Sequence, residues 1–310
     1  MGSVVWRASP GCELAEYTEP ERKLWRGDPA LVYRSGQLSV VVLPQRGGKI
    51  ASIRYRDREW LTQPQRALLP LADLPPLLVE GDMFGWDECA PTIDDCEVMG
   101  HQLPLHGDVW NQPWTEGESG WLEVTGRHLR FRLQRRLSIH AGGFRLDYAV
   151  SAPERIPFLW AAHPQFAASP DVEVVFGDGS PPLVDLFGRG YWQDLPSGGP
   201  VHLKDIPAGR SAKLFVDPTA SSGRAQLIHP DGAAIAFQWD AACVPYLGVW
   251  LDRAAIGPVD AVAIEPMTGY ADSCATAMQA GRVLWLTSGQ PVRWTLAVTL
   301  GQRKHGAGDA

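Results

Sequence analysis

The chain has 310 residues, 45% hydrophobic and 20% charged, with 28 basic against 35 acidic side chains and a formal charge of -7. That length can bury a large core without disulfides or a structural metal. The acidic balance argues against nucleic acid or an anionic membrane as partner, since both need a basic footprint. No run of about 18 apolar residues is present to span a membrane. The first ten residues lack a basic stretch followed by an apolar one, so no secretion signal is expected. The five cysteines, Cys12, Cys89, Cys96, Cys243 and Cys274, are widely spread and form no C-x-x-C pair. This usage fits a reduced, cytoplasmic protein.

Period-two alternation dominates, the mark of strands with one buried face. Leu38 to Leu43 and Lys49 to Tyr55 flank a turn at Pro44-Gln45-Arg46-Gly47-Gly48. The segment from Ala67 to Val79 is too rich in proline for a helix. Between Leu129 and His140 the apolar row Leu129, Phe131, Leu133, Leu137, Ile139 is broken only by Arg135. The turn Ala141-Gly142-Gly143 then leads into Phe144, Leu146, Tyr148 and Val150, which reads as a hairpin. A second hairpin is expected around Pro230-Asp231-Gly232. A third pairs Val283 to Leu286 with Val292 to Leu300 across Thr287-Ser288-Gly289-Gln290. Ala271 to Ala280 is the one short helix expected. Many short strands with Gly/Pro turns indicate an all-β sandwich or barrel, organised as one domain over 13–302 with disordered tails at 1–12 and 303–310.

Three segments concentrate polar, titratable and aromatic side chains: Gly81 to Thr92 continued by Leu105 to Trp110, then Trp160 to Phe166, then Val262 to Thr268. His163 closes an apolar run and precedes Pro164, which puts it at a strand end; taken alone it could equally be a core histidine bonded to a carbonyl. Glu265 closes another apolar run before Pro266. A carboxylate there needs a partner or a task, because desolvating it is costly. His106 precedes Gly107, a residue that permits close backbone approach, though a surface turn would use the same pair. Asp87 and Glu88 could be adjacent solvated charges. A metal site from His101, His106 and Asp108 has no familiar ligand spacing.

The order of these motifs resembles the aldose 1-epimerases, or galactose mutarotases. A His-Gly motif at His106 is followed 57 residues on by His-Pro-x-Phe at His163, and 102 residues later by a hydrophobic-Glu-Pro motif at Glu265. Val42 to Ile50, Val-Leu-Pro-x-x-Gly-Gly-x-Ile, resembles the family's first strands. The resemblance implies a β-supersandwich of large antiparallel sheets with an open cleft, acting on a small carbohydrate without cofactor or metal, as a monomer or homodimer. It implies Glu265 as general base, His163 as general acid and His106 as a second cleft histidine near the sugar's ring oxygen. For the hydroxyl-binding carboxylate it leaves Asp87, Glu88, Asp108 and Asp252 open. Trp86, Trp110 and Trp250 are candidates for walls against the sugar, since flat aromatic faces suit its apolar faces. The chain departs from the pattern at Asp108, where His-Gly-Gly is usual, and at Pro164-Gln165, so galactose is not specifically indicated. Two other outcomes are a different reaction on the same scaffold (a hexose-phosphate epimerase, isomerase, cyclase or lyase) and a non-catalytic carbohydrate-binding module. A phosphorylated substrate would require a basic cluster, for which Arg46 and Lys49 are the early candidates.

Overall fold

A computed structural model describes residues 18–74, 77–177, 181–185, 200–219 and 221–303. Cys12 and the expected disordered tails, Arg303 excepted, lie outside them. Among the described residues, twelve strands form one antiparallel sheet and nine form another. The first sheet runs, in spatial order, through Glu21–Trp25, Asp28–Ser35, Leu38–Leu43, Lys49–Tyr55, Trp86–Cys89, Ala161–Pro164, Asp260–Met267, Tyr246–Arg253, Ser211–Val216 and Leu183–Val184. The core of the second is Arg224–Ile228, Ala233–Trp239, Val292–Gln302, Gly143–Ser151 and Arg132–His140. The alternation pointed to an all-β sandwich or barrel, and the two large antiparallel sheets are the β-supersandwich that the resemblance implied.

The two inner faces meet in one continuous apolar core. Trp86 of the first sheet packs on Phe144 and Phe237 of the second, with ring centroids 6.3 and 5.8 Å away. Arg135, the break in the apolar row, points into this core. It donates to Glu88 at 2.7 Å and to the Gly48 carbonyl, and lies over the Trp114 ring. Glu88 also accepts from Tyr148 at 2.9 Å and from Trp160 at 2.7 Å. A buried charge is tolerable only when paired and hydrogen-bonded in this way.

The first two hairpins form as the turns predict, with Ile139 opposite Phe144 and Ile228 opposite Ala234. The third does not. Leu284–Leu286 pairs with Ile156–Phe158 in a separate two-stranded ribbon, while Val292–Gln302 inserts between Gly143–Ser151 and Ala233–Trp239. Only the bridge from Thr287 to Gln290 joins the two segments. The expected helix is shorter than the pattern, Cys274–Gln279, and is capped by the Ser273 side chain accepting from Thr276. No described helix is long and apolar enough to cross a membrane.

Candidate active site

Five neighbouring strands of the first sheet carry the candidate residues, and their register decides which side chains share a face. Residues directly opposite one another project to the same side. His163 is opposite Asp87, Gly248 is opposite Glu265, Trp250 is opposite Ala263, and Lys213 is opposite Trp250. His163 and Glu265 each lie two residues from the paired Ala161 and Met267. Asp87, His163, Glu265, Trp250 and Lys213 therefore stand together on the outer face, away from the second sheet.

His163 Nε2 lies 3.9 Å from Glu265 Oε1. The His106 ring approaches edge-on, its centroid 5.6 Å from that of His163, and the Trp250 ring lies 5.7 Å from His163 on another side. His106 reaches this position from a loop in which it and Gly107 both adopt positive φ. Gly107 bridges to Ala90, and the Asp108 amide donates to the Ala90 carbonyl at 2.9 Å. His163 and His106 retain 5% and 8% exposure and Glu265 none, so the group is desolvated. His106 Nδ1, His163 Nδ1, Glu265 Oε1 and Asp87 Oδ1 are buried without a protein hydrogen bond. Buried polar atoms are normally bonded, so four such atoms together single out this group as the candidate site.

Two residues here escaped the sequence reading. Lys213 Nζ hydrogen-bonds Glu265 Oε2 and lies 3.2 Å from Asp272 Oδ1. In Ser-Ala-Lys-Leu-Phe-Val the lysine reads as the solvated member of an alternating strand, yet every residue of that strand is buried. Asp272 reads as a charge ahead of a helix cap. Neither had a local signal.

Burial sets the proton affinities. It pushes His163 down to about 3, with the Lys213 and Lys49 charges acting in the same direction. It takes His106 to about 3 as well, helped by His163 and the same lysines. Burial raises Glu265 and Asp272, against the opposing pull of Lys213. It raises Asp87 to about 7, although Lys49 donates to that carboxylate at 2.6 Å. The Cys89 thiol, on the same face, is pushed well up by burial and then by Glu265 and Asp87. Lys213 goes upward because its two carboxylates outweigh the effect of burial.

The remaining sequence candidates fall elsewhere. Trp86 and Glu88 alternate with Asp87 and so face inward, into the apolar core and onto Arg135; neither can touch a ligand on the outer face. Asp108 accepts from the amides of Arg127 and His128 and from the His128 ring, which commits it to that loop. With His106 turned to His163, the grouping of His101, His106 and Asp108 is not assembled. Asp252 accepts from the amides of Ala255, Ile256 and Gly257 and caps their turn. Trp110 is buried, with its backbone against Gly47. Lys49 is buried between Asp82 and Asp87, and Arg46 between Asp28 and Asp82. Two surface concavities, one around Tyr55, Arg58, Trp60 and Asp231 and the other around Arg22, Pro29, Pro44 and Glu116, lie outside this group of residues.

No family model and no curated protein matches the chain. Solved structures do match along nearly its whole length. The Slr1438 protein from Synechocystis sp. PCC 6803 is 15% identical with a TM-score of 0.66, covering 93% of this chain and 98% of its own. A galactose mutarotase-like protein from Lactobacillus casei is 14% identical with a TM-score of 0.63, covering 88% and 100%. An aldose epimerase homologue from C. elegans is 10% identical with a TM-score of 0.62, covering 89% and 99%. The chain has a galactose mutarotase-like fold. At these identities the likeness is one of fold. His163 and Glu265 from neighbouring strands meet the loop residue His106 at His163, although 159 residues separate His106 from Glu265 in sequence.

Proposed function

We propose that this protein is an isomerase that interconverts the α and β anomers of a free, uncharged sugar, by opening and closing its ring. The observation that carries this reading is the approach of His163 Nε2 to Glu265 Oε1 at 3.9 Å in a desolvated cluster. Anomer exchange needs one group to take the proton from O1 and another to give one to the ring oxygen O5. Both oxygens are bonded to the same carbon, so two groups as close as His163 and Glu265 can serve both at once.

Glu265 takes the O1 proton as the C1–O5 bond breaks, and O5 receives the proton held on His163 Nε2. C1 becomes the aldehyde carbon. After rotation about C1–C2, Glu265 returns its proton to the new O1, His163 recovers its own from O5, and the ring closes on the other face. A histidine with a depressed pKa acts here as a neutral donor, a known use of burial in proton-transfer enzymes. The positive field of Lys213 and Lys49 that disfavours an imidazolium also eases loss of a proton from the neutral ring. His106 braces His163 and offers a second donor towards O5, and Trp250 forms a wall beside the sugar.

The charge pattern favours a neutral sugar over a phosphorylated one. Arg46, Lys49 and Lys213, the cations around the group, are each already matched by Asp28, Asp82, Asp87, Glu265 or Asp272. The test is proton exchange NMR on a panel of free aldoses and their 6-phosphates. The reading expects faster exchange between anomeric signals for at least one free aldose, and loss of that acceleration in Glu265→Gln. No acceleration with any free aldose would end it.

A further inference from the structure

We propose that Lys213 is the positioning residue of this site: its ammonium, itself anchored by Asp272, keeps the Glu265 carboxylate ionised with its other oxygen towards His163. The proposal rests on Glu265 acting as the base.

Lys213 and Glu265 are not on adjacent strands; Tyr246–Arg253 runs between theirs. The residue opposite Glu265 on that intervening strand is Gly248. A β-carbon at position 248 would lie 2.9 Å from Lys213 Cε and 3.1 Å from Met267 Sδ. The glycine thus leaves the channel through which the lysine stem crosses the strand. On arrival, Nζ bonds Glu265 Oε2, leaving Oε1 on the His163 side. Asp272 holds Nζ from the loop ahead of the Cys274–Gln279 helix. One cation is therefore shared by two buried carboxylates.

The groups facing Glu265 can be named strand by strand. His163 approaches from Ala161–Pro164, with His106 behind it. Cys89, and beyond it Asp87 paired with Lys49, come from Trp86–Cys89. Lys213 comes from Ser211–Val216 and Asp272 from the helix loop, while Tyr246–Arg253 contributes Gly248 and Trp250, which do not titrate. With both histidines neutral and the Cys89 thiol protonated, Lys213 is the cation in direct contact with Glu265. Without it, Glu265 and Asp272 would be two buried carboxylates competing for one proton, which raises the affinity of at least one of them.

The two partners of the lysine interaction therefore have opposite effects. Lys213→Met is expected to move the acid limb of kcat/KM for anomer exchange upward by roughly one to three pH units. Activity should be lost at neutral pH and partly recovered in alkali. Asp272→Asn should move the same limb downward, because it removes the competing carboxylate and leaves Lys213 to Glu265 alone. Lys213→Arg should stay close to wild type in its pH profile. A second readout needs no activity: carbon-13 NMR titration of the glutamate side-chain carboxyls, with Glu265 assigned by its disappearance in Glu265→Gln. Opposite shifts of the Glu265 titration in Lys213→Met and Asp272→Asn support the proposal. Equal falls at all pH values, or shifts of the same sign, overturn it. If Lys213→Met does not fold, by circular dichroism, the downward shift in Asp272→Asn decides alone. If the wild type accelerates no aldose, the mutarotase reading fails, while the carboxyl titration still tests the role of Lys213.

Discussion

Gly107 lies flush against the carbonyl of Ala90, with no room for a side chain between them. This contact, and the positive φ of both His106 and Gly107, aim the His106 ring at His163. A methyl group at position 107 would overlap backbone, which cannot swing aside as a flexible side chain can, and it would sit at a φ that disfavours a β-carbon. Gly107→Ala is expected to lose about 1–3 kcal/mol of stability, read by urea unfolding. Its anomer-exchange activity should fall further than the unfolded fraction explains, because His106 is displaced. Wild-type stability in this variant would show that the loop relaxes freely and does not fix the histidine.

Glu265→Gln and His163→Ala are each expected to cost on the order of 10²–10⁴-fold in kcat, the range for a positioned proton-transfer group. Both proteins should keep a wild-type circular dichroism spectrum. The check is exchange NMR with the best aldose at saturating concentration. A loss below tenfold in either variant would remove that residue from the proton-transfer steps.

Neither His106 nor His163 should carry charge near neutral pH. Both are pushed from 6.5 to about 3, so the unfolded chain binds more protons than the folded one between those values. Stability should then fall on acidification through that window, by at most ~1.4 kcal/mol per pH unit for each ring. Asp87 acts in the opposite direction. Its affinity is raised from 3.8 to about 7, so its contribution is present at low pH and is lost as pH rises through that range. Replacing both histidines by Gln should flatten the acid side of the stability profile, measured by urea unfolding from pH 8 to 4. Nitrogen-15 shifts of the two rings should remain those of neutral imidazole down to pH 5; a ring titrating near 6.5 would contradict its burial.

Glu88 offers a contrast to Asp87, its neighbour in sequence. It accepts from Arg135, Tyr148 and Trp160 inside the core. Glu88→Ala leaves Arg135 buried without its carboxylate, and removing one partner of such a pair costs about 3–5 kcal/mol. Glu88→Gln keeps an acceptor and should cost less. The thermal midpoints of the two variants give the comparison, and near-equal, small losses would show that the network is not what holds the sheets in register here.

Much of the fold was legible in the residues themselves. A period of two along Arg132–His140 and Gly143–Ser151 needs no long-range information, and the glycine turn between them fixes their pairing. The single break at Arg135 was visible in the apolar row, but nothing local said that the cation is buried or named Glu88 as its partner. His163 and Glu265 were legible as polar residues closing apolar runs. The Trp86–Cys89 strand was not, because four residues of mixed polarity carry no alternation strong enough to say which of Asp87 and Glu88 faces inward. The pairing of Leu284–Leu286 with Ile156–Phe158, in place of the nearer Val292–Gln302, was equally hidden. Lys213 was the furthest from view: it reaches Glu265, 52 residues away in sequence, by crossing an intervening strand over Gly248. Alternation is a property of one strand and its two faces. Which strands become neighbours, and which face is buried, depends on contacts between segments far apart in the chain, and those contacts built the site.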